Sequence, residues 1–259
     1  MERIPGGLFL AGLDPSSARA EIERLGYSSV GKEESVNNAS PVHETMLGDF
    51  VMDKYEVTSL QFAKFLNQTG QNNYFKNNKK CNLIYSGGSY QSKSGLSDHP
   101  VNCVTWQEAK GYCEWKGKRL PTEAEWEKAA RGGRNTIYTW GDQFDEKKAN
   151  FCDRNCSQKH ADKDYDDGYA KTAPVGSYPA NNYDLYDMAG NVWEWTADWY
   201  DENYYSNAPR VNPKGPSSGS KKVLRGGSWH TLPYGMRSAY RDRYDPTKRG
   251  NNIGFRCAQ

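Results

Sequence analysis

Cysteine is the residue type in this chain with the widest chemistry, because a thiolate is both a nucleophile and a soft metal ligand. The 259-residue sequence contains six cysteines. None of them form a Cys-x-x-Cys pair, so the spacing favours disulfides in an oxidising compartment over a zinc site. Cys152 and Cys156 are close enough to bridge locally, and Cys81 with Cys103 is a further candidate pair. Spacing alone leaves both pairings open.

A second group of candidate functional residues lies between Trp229 and Gly254. They mix Tyr, Asp, Gly, His, Thr and Leu, and we find no helical or strand period among them. Binding surfaces favour this mixture because Tyr covers a large area at low rotamer cost. We therefore predict a ligand-binding surface within about residues 223–257, and an ordinary solvated loop is the alternative. The predicted ligand-binding residues are His230, Thr231, Leu232, Tyr234, Gly235, Tyr240, Asp242, Tyr244, Asp245 and Gly250.

Capping signals predict three helices that must help to position this surface. Thr58, Thr105 and Thr122 are each followed three residues later by Gln or Glu, which is the pattern of a capping box. Apolar residues then recur at helical spacing, and Gly70, Gly117 and Gly132 end the three segments.

Short strands and long loops are predicted for most of the remaining chain. An opening strand is expected from Ile4, a short helix within 16–25, and strands within 49–57, 100–104 and 253–257. The aromatic segment 184–199 is predicted to form the core of a small sheet. With no internal repeat or linker, residues 1–259 are predicted to form a single α+β domain.

The arginines of the C-terminal stretch are predicted to support the fold. They are expected to hydrogen-bond loop carbonyls and acidic neighbours, because a loop-rich fold leaves many carbonyls without ladder partners. An anion site is the alternative. These residues are Arg225, Arg237, Arg241, Arg243 and Arg256.

Composition excludes some classes of partner. A net charge of +2 gives no reason to expect nucleic acid, and a mean hydropathy of −0.96 with 13% aromatic residues indicates a polar chain with an aromatic core. No window approaches eighteen apolar residues, so no transmembrane segment is predicted. The N-terminal residues lack the long apolar region of a secretory signal. Without a heptad pattern, a monomer is expected.

Seven motifs along the chain resemble the formylglycine-generating enzyme family. The resemblance implies a C-type-lectin-like fold with a few helices, short strands and much irregular loop. The motifs are MDKYEVT at 52–58, HPVNCVTW at 99–106, KRLPTEAEWE at 118–127, GNVWEW at 190–195, NPKG at 212–215, RGGSW at 225–229 and NIGFRC at 252–257.

The catalytic part of that family has no counterpart here. Active members hold a copper-binding, redox-active cysteine pair just after the Gly-Gly-Ser motif, whereas His230 and Thr231 follow Trp229 at this place. No cysteine occurs between Cys156 and Cys257. We therefore expect a protein that is not an enzyme and requires no catalytic cofactor. An oxidase or modifying enzyme of the same superfamily with an altered active site is the alternative.

The C-terminal stretch also resembles the variable repeat of diversity-generating retroelement proteins of the treponeme (TvpA-like) type. In those systems the adenines of template codons such as AAC and AAT are randomised during copying. All ten predicted binding residues are reachable from these codons by changing only the two adenines. The resemblance implies a receptor-like or adhesin-like protein at the bacterial cell surface or in the periplasm, with a lipid-anchored precursor. Its partner would be a variable protein or another surface ligand, of unspecified identity.

The family resemblance further implies a disulfide and two calcium sites. The disulfide joins Cys113 to Cys257, with two buried free thiols as the alternative. Each calcium site combines hard oxygen ligands from side chains and carbonyls, and ordinary turn hydrogen bonding without metal stays open. One site comprises the side chains of Asp187 and Glu194 with the carbonyls of Gly190 and Val192, and the other the side chains of Asn150 and Asp167 with the carbonyls of Phe151 and Tyr169.

Overall fold

The computed structural model describes residues 1–27, 36–71 and 78–259. The sequence is polar over 13–45 and over 71–99, which we call the polar insert. Positions 28–35 and 72–77 of these two segments lie outside the described residues. The described chain mixes helices with short strands and long loops, as the sequence predicts. The α-helices are α1 Pro15–Arg24, α2 Ser59–Thr69, α3 Trp106–Trp115, α4 Glu123–Arg131 and α5 Tyr204–Asn207, with 3₁₀ helices at Glu146–Lys148 and Pro233–Met236.

The three predicted capping boxes are confirmed. Thr58, Thr105 and Thr122 each accept a hydrogen bond from the backbone N–H three residues later, and the Gln or Glu at that position reaches back to the cap. Gly70 and Gly132 end α2 and α4 in the left-handed conformation that glycine adopts without a Cβ clash. These local signals fix where the helices begin and end.

The strands are short and form a central four-stranded sheet with three two-stranded sheets. The central sheet has the order β10-β7-β8-β9, in which β10 runs parallel to β7 and the other pairs are antiparallel. The strands are β1 Glu2–Ile4, β2 Gly7–Ala11, β3 His43–Leu47, β4 Phe50–Met52, β5 Leu83–Ser86, β6 Ser89–Ser92, β7 Trp193–Trp199, β8 Lys222–Arg225, β9 Arg241–Tyr244 and β10 Ile253–Gly254.

Two strand predictions differ from the structure. The segment 100–104 makes a single bridge, from Pro100 to Thr58, and is otherwise irregular. The polar insert contains an unpredicted hairpin, β5–β6, whose turn is formed by Gly87 and Gly88 with positive φ. The hydrophobic pattern is a weak guide to this hairpin, because each strand has only four residues and places a single residue, Leu83 or Tyr90, in the core.

The largest core cluster lies between the central sheet and helices α2 and α3. Trp193 and Trp195 of β7 pack there with Phe62, Tyr112 and Phe255. The Cys113–Cys257 disulfide joins α3 to the end of the chain inside this cluster. Helix α3 is thereby tied covalently to the residues that follow β10.

All six cysteines are disulfide-bonded. The bridge between Cys113 and Cys257 that the family resemblance implies is present, as are Cys81–Cys103 and Cys152–Cys156. Three disulfides indicate an extracytoplasmic protein, because reducing compartments keep thiols free. None of the described helices combines the length and apolar character needed to span a bilayer.

Buried arginine–carboxylate pairs join helix α4 to the strands that carry the C-terminal stretch. Glu127 is fully buried and accepts hydrogen bonds from Arg131 (2.8 Å) and Arg225 (2.9 Å). Glu123 accepts two from Arg241, at 2.6 and 3.0 Å. Burial alone would raise the pKa of Glu127, but Arg131 and Arg225 outweigh it and lower the pKa.

Arg225 also provides hydrogen bonds to the backbone carbonyls of the loop before β9. Its guanidinium donates to the carbonyls of Ser238, Ala239 and Tyr240, each at 2.8 Å. Arg256 is likewise buried and donates to both carboxylate oxygens of Glu194. The predicted supporting role is therefore confirmed for these arginines.

Glu127→Gln is expected to destabilise the protein by about 3–5 kcal/mol, because it leaves the buried Arg131 without its counter-charge and Arg225 with only Glu123, at 3.7 Å. Urea unfolding followed by fluorescence measures the difference. Glu44→Gln is the matched control, since Glu44 pairs with Arg210 on the surface at 53% and 61% side-chain exposure. The control should change stability by less than about 1 kcal/mol, and equal effects of the two substitutions would contradict the prediction.

Asp198 makes stability depend on pH. This buried carboxylate of β7 accepts a hydrogen bond from the N–H of Glu123 (2.7 Å), and burial raises its pKa to about 8 from an ordinary 3.8. The folded chain therefore holds a proton that the unfolded chain releases. This contribution to stability is complete below the ordinary pKa and is lost as the pH rises toward 8.

Asp198→Asn should remove that dependence, because the amide stays neutral at every pH. Relative to the parent protein, the variant is expected to gain on the order of a few kcal/mol between pH 5 and pH 9. Thermal unfolding of both proteins across this range measures the difference. A difference in Tm that stays constant with pH would show that Asp198 is ionised in the folded state.

Candidate ligand-binding site

The predicted binding stretch, 223–257, begins within β8, and all ten of its predicted binding residues follow that strand. Gly226 and Gly227 follow with positive φ, and Trp229 donates its backbone N–H to the carbonyl of Asn191 (2.9 Å). A 3₁₀ helix at Pro233–Met236 and the strand β9 then organise the middle of the stretch. The prediction that no regular period orders these residues is therefore wrong.

Strand β9 divides the stretch into two faces. Asp242 and Tyr244 point to one side of the sheet, and Arg241 and Arg243 to the other, because successive side chains of a strand alternate. In the register of β8 with β9, Leu224 lies opposite Asp242. The alternation of Tyr or Asp with Arg over 240–244 indicates a strand, and this signal was missed. Neither face of this strand is uniformly apolar, so the usual hydrophobic alternation is absent.

Eight of the ten predicted binding residues are at least partly exposed, and Leu232 and Gly235 are buried. Tyr244 is the most exposed large side chain among them, at 37%. Leu232 is only 6% exposed, so its predicted role as an exposed anchor is not what the structure shows. Leu232 immediately precedes the 3₁₀ helix, and this tight turn places its side chain inside.

An aromatic row runs through the middle of the surface. The ring of Tyr234 lies 5.6 Å from that of Tyr27 and 6.4 Å from that of Tyr240, and Tyr240 lies 6.0 Å from Trp193. Tyr27 also hydrogen-bonds the carboxylate of Asp162. Residues distant in sequence thus continue the surface beyond the C-terminal stretch, which the sequence did not indicate.

His230 lies at the other end of the surface, beside His160. Their rings are 5.4 Å apart, and His160 Nε2 lies 3.2 Å from the carbonyl oxygen of His230. Burial, together with His160, lowers the pKa of His230. The side chain is therefore neutral near pH 7 and offers a hydrogen-bonding ring to a ligand.

Asp245 and Gly250 lie in the loop that follows β9. Asp245 accepts hydrogen bonds from the hydroxyl (2.7 Å) and the N–H (2.8 Å) of Thr247, and these bonds lower its pKa. The carbonyl of Gly250 accepts from the N–H of Cys103 (2.9 Å). Both residues therefore contribute to loop structure as well as to the surface.

The residues of the two implied calcium sites lie side by side, because Asn150 and Gly190 form a parallel bridge. Asn150 is buried, and its Oδ1 has no hydrogen-bond partner. Asp167 accepts from the N–H groups of Phe151 (2.7 Å) and Tyr169 (2.8 Å). Burial raises the pKa of Asp167 to about 7, and a cation at this place would lower it by stabilising the carboxylate.

The other implied site has the same kind of orphan oxygen. Asp187 Oδ2 accepts from the N–H of Gly176 (2.6 Å), while its buried Oδ1 has no partner. Glu194 is engaged by Arg256 and by Trp126 Nε1 (2.8 Å). Each implied site thus contains one unsatisfied buried oxygen that a hard cation would satisfy. Within the described ranges, no three acidic, His or Cys side chains are arranged so that they could hold a metal ion by themselves.

Comparison with known proteins identifies the family. The model of the sulfatase-modifying factor enzyme 1-like domain matches residues 1–259. The chain belongs to this family. The predicted C-type-lectin-like α+β fold of the formylglycine-generating-enzyme type is therefore confirmed.

Several relatives carry different names. The formylglycine-generating enzyme of Bos taurus is 33% identical, and the match covers 100% of this chain and 74% of that protein. The inactive C-alpha-formylglycine-generating enzyme 2 of Mus musculus is 31% identical, with 100% and 85% covered. The serine/threonine-protein kinase pkn1 of Chlamydia caviae is 40% identical over 88% of this chain. The match covers only 36% of the length of that kinase.

Solved structures share the fold of this chain. Variable protein 1 of Treponema denticola superposes with a TM-score of 0.71, covering 100% of this chain and 94% of that one, at 23% identity. At this identity the match shows a common fold.

The family's copper chemistry does not fit the residues present at this site. All six cysteines are consumed in disulfides, so the folded chain offers no free thiol. The Cys152–Cys156 disulfide packs against Trp229, the residue that follows the Gly-Gly-Ser motif. Histidine, threonine and tyrosine do not replace a thiolate as a soft copper ligand.

Calcium is expected to bind at the two sites with orphan oxygens and to raise the Tm by several degrees, because it binds the folded state selectively. Asn150→Ala and Asp187→Ala should each reduce the calcium stoichiometry from two ions to one, as measured by equilibrium dialysis. Magnesium is the control, since it tolerates these irregular oxygen sets poorly. An unchanged Tm in calcium would contradict both sites.

Proposed function

We propose that this protein is a non-enzymatic, receptor-like member of its family, one domain across residues 1–259, that displays a ligand-binding surface diversified by a retroelement. The surface comprises the exposed members of the ten predicted residues, which lie on β9 and in the loops before and after it. Its location is the cell surface or the periplasm, with a lipid anchor on the precursor. The domain works as a monomer.

The observation that carries this proposal is the lack of any free thiol beside the Gly-Gly-Ser motif. Thr231 stands in the segment where the family's active members hold their cysteine pair, and its hydroxyl bonds to Ser228 (3.0 Å). A hydroxyl held in this way is not a soft metal ligand. The mouse relative named as inactive gives a precedent for family members without the activity.

The distribution of side chains supports recognition as the function. Tyr234, Tyr240 and Tyr244 present phenol rings with polar tips, and Asp242 and His230 add hydrogen-bonding groups. The Treponema denticola neighbour is named a variable protein and has the same fold. Rigid aromatic anchors surrounded by exchangeable polar groups are typical of surfaces selected to bind diverse ligands.

The enzymatic alternative is tested by incubating the protein with copper, oxygen and a cysteine-containing sulfatase-type peptide. We expect no formylglycine and no peptide-dependent oxygen consumption, because the nucleophilic thiol is missing. The bovine formylglycine-generating enzyme serves as the positive control under the same conditions. Turnover above background would overturn the non-enzymatic assignment.

Diversification is tested in the genome that encodes the chain. We expect a second copy of the coding stretch for 223–257 beside a reverse transcriptase gene, with AAC or AAT at the codons of the diversified positions. The codons for Arg237, Arg241 and Ala239 should agree in both copies, which makes them the matched control. A genome without such a copy would contradict the retroelement part of the proposal.

A binding assay then locates the surface once a ligand is known. Tyr244→Ala should weaken binding at least tenfold if Tyr244 is an anchor. Tyr55→Ala is the matched control, because Tyr55 is exposed to a similar degree (39% against 37%) on another part of the molecule. Equal losses for both variants would contradict a site on β9.

A further inference from the structure

Gly235 and Thr231 occupy the same small volume. Gly235 lies in the 3₁₀ helix Pro233–Met236, and its backbone lies outside the left-handed region, so conformational freedom does not explain the glycine. A Cβ placed on Gly235 would overlap Cγ2 of Thr231. The space for a side chain at 235 is therefore already filled by the threonine methyl group.

Neither residue can readily move aside. Both backbone polar groups of Thr231 are hydrogen-bonded. Its N–H donates to Ser228 O (2.8 Å), and its carbonyl accepts from Cys152 N–H (2.9 Å). Its hydroxyl bonds to the hydroxyl of buried Ser228 (3.0 Å), which fixes the rotamer that aims Cγ2 at Gly235. The backbone of Gly235 is held by a hydrogen bond to Leu232 O (2.9 Å).

We propose that Thr231 and Gly235 form a steric pair that determines specificity as one unit. A side chain branched toward the pair's shared volume is accommodated at 231 or at 235, and never at both. A branched side chain is thus compatible with the partly exposed position 231 only while the buried position 235 leaves the shared volume empty. This inference rests on the proposed diversified surface for its functional meaning, while the steric pair itself is a property of the fold.

Gly250 is limited differently, by the fixed core. A Cβ on Gly250 would lie 2.6 Å from Cδ1 and 2.8 Å from Cγ1 of Ile253, which is 3% exposed in β10. The residue that limits Gly250 belongs to the buried frame and not to the surface. Gly250 therefore behaves as part of the frame, and it provides a control for the pair.

A double-mutant cycle tests the pair. Gly235→Ala should lower the Tm by about 3–10 °C through overpacking. Thr231→Ser removes only Cγ2 and keeps the hydroxyl bond to Ser228, so it should restore the Gly235→Ala variant to within about 2 °C of Thr231→Ser alone. If Gly235→Ala does not fold, the double variant is still expected to fold.

Gly250→Ala is a control that shows whether Thr231→Ser relieves only the overlap with residue 235 or makes the protein tolerate any added side chain. Gly250→Ala should lower the Tm by the same amount in the parent protein and in the Thr231→Ser variant, because Ile253 limits it. The pair is overturned if Gly235→Ala is as stable as the parent, if Thr231→Ser fails to restore it, or if Thr231→Ser restores Gly250→Ala as well.

A library extends the test to the binding surface. Codons 231 and 235 are randomised together as NNY, and displayed variants are sorted for protease resistance. We expect glycine at 235 with branched or large residues at 231, and glycine, alanine or serine at 231 wherever 235 carries a side chain. Independent distributions at the two positions would overturn the proposal. A genome that lacks a template copy would instead remove the proposed diversification and leave the steric pair standing.

Discussion

The position of the C-terminal stretch depends on buried guanidinium–carboxylate pairs. Arg225 and Arg241 reach from the central sheet to Glu127 and Glu123 of α4, and Arg256 reaches to Glu194 of β7. Taking such charges out of water is costly, so the pairs secure one specific arrangement more than they add net stability. Because few ladder bonds exist in this fold, the same guanidinium groups also satisfy loop carbonyls that would otherwise be buried unpaired.

This support explains how a stretch of loops, one 3₁₀ helix and one strand can hold a surface of changeable side chains. On β9 the arginines face the charged network, and Asp242 and Tyr244 face the other side. The Cys113–Cys257 disulfide and the bridge from Asn150 to Gly190 brace the neighbouring segments. Substitutions of Asp242 and Tyr244 therefore leave the guanidinium–carboxylate pairs on the opposite face of β9 untouched.

The sequence predicted the parts of the fold that local chemistry determines. The capping boxes at Thr58, Thr105 and Thr122 predicted their helices correctly, because a capping box involves residues only three positions apart. Strand β9 and the β5–β6 hairpin were missed because their hydrogen-bond partners are set by tertiary pairing, and their side chains show no uniformly apolar face. The burial of Leu232, the contribution of Tyr27 and the overlap of Thr231 with Gly235 depend on distances that no sequence pattern encodes.

If the surface is diversified as proposed, the alternation of side chains along β9 restricts which codons the gene can use there. Mutable and protected codons must follow one another without a gap from 240 to 244. An arginine codon of the AGA or AGG type carries an adenine at its first position, and its randomisation would remove the guanidinium that Glu123 requires at 241. Synonymous choice would then be under structural selection: the charge network on the hidden side of one strand would exclude two of the six arginine codons from the template.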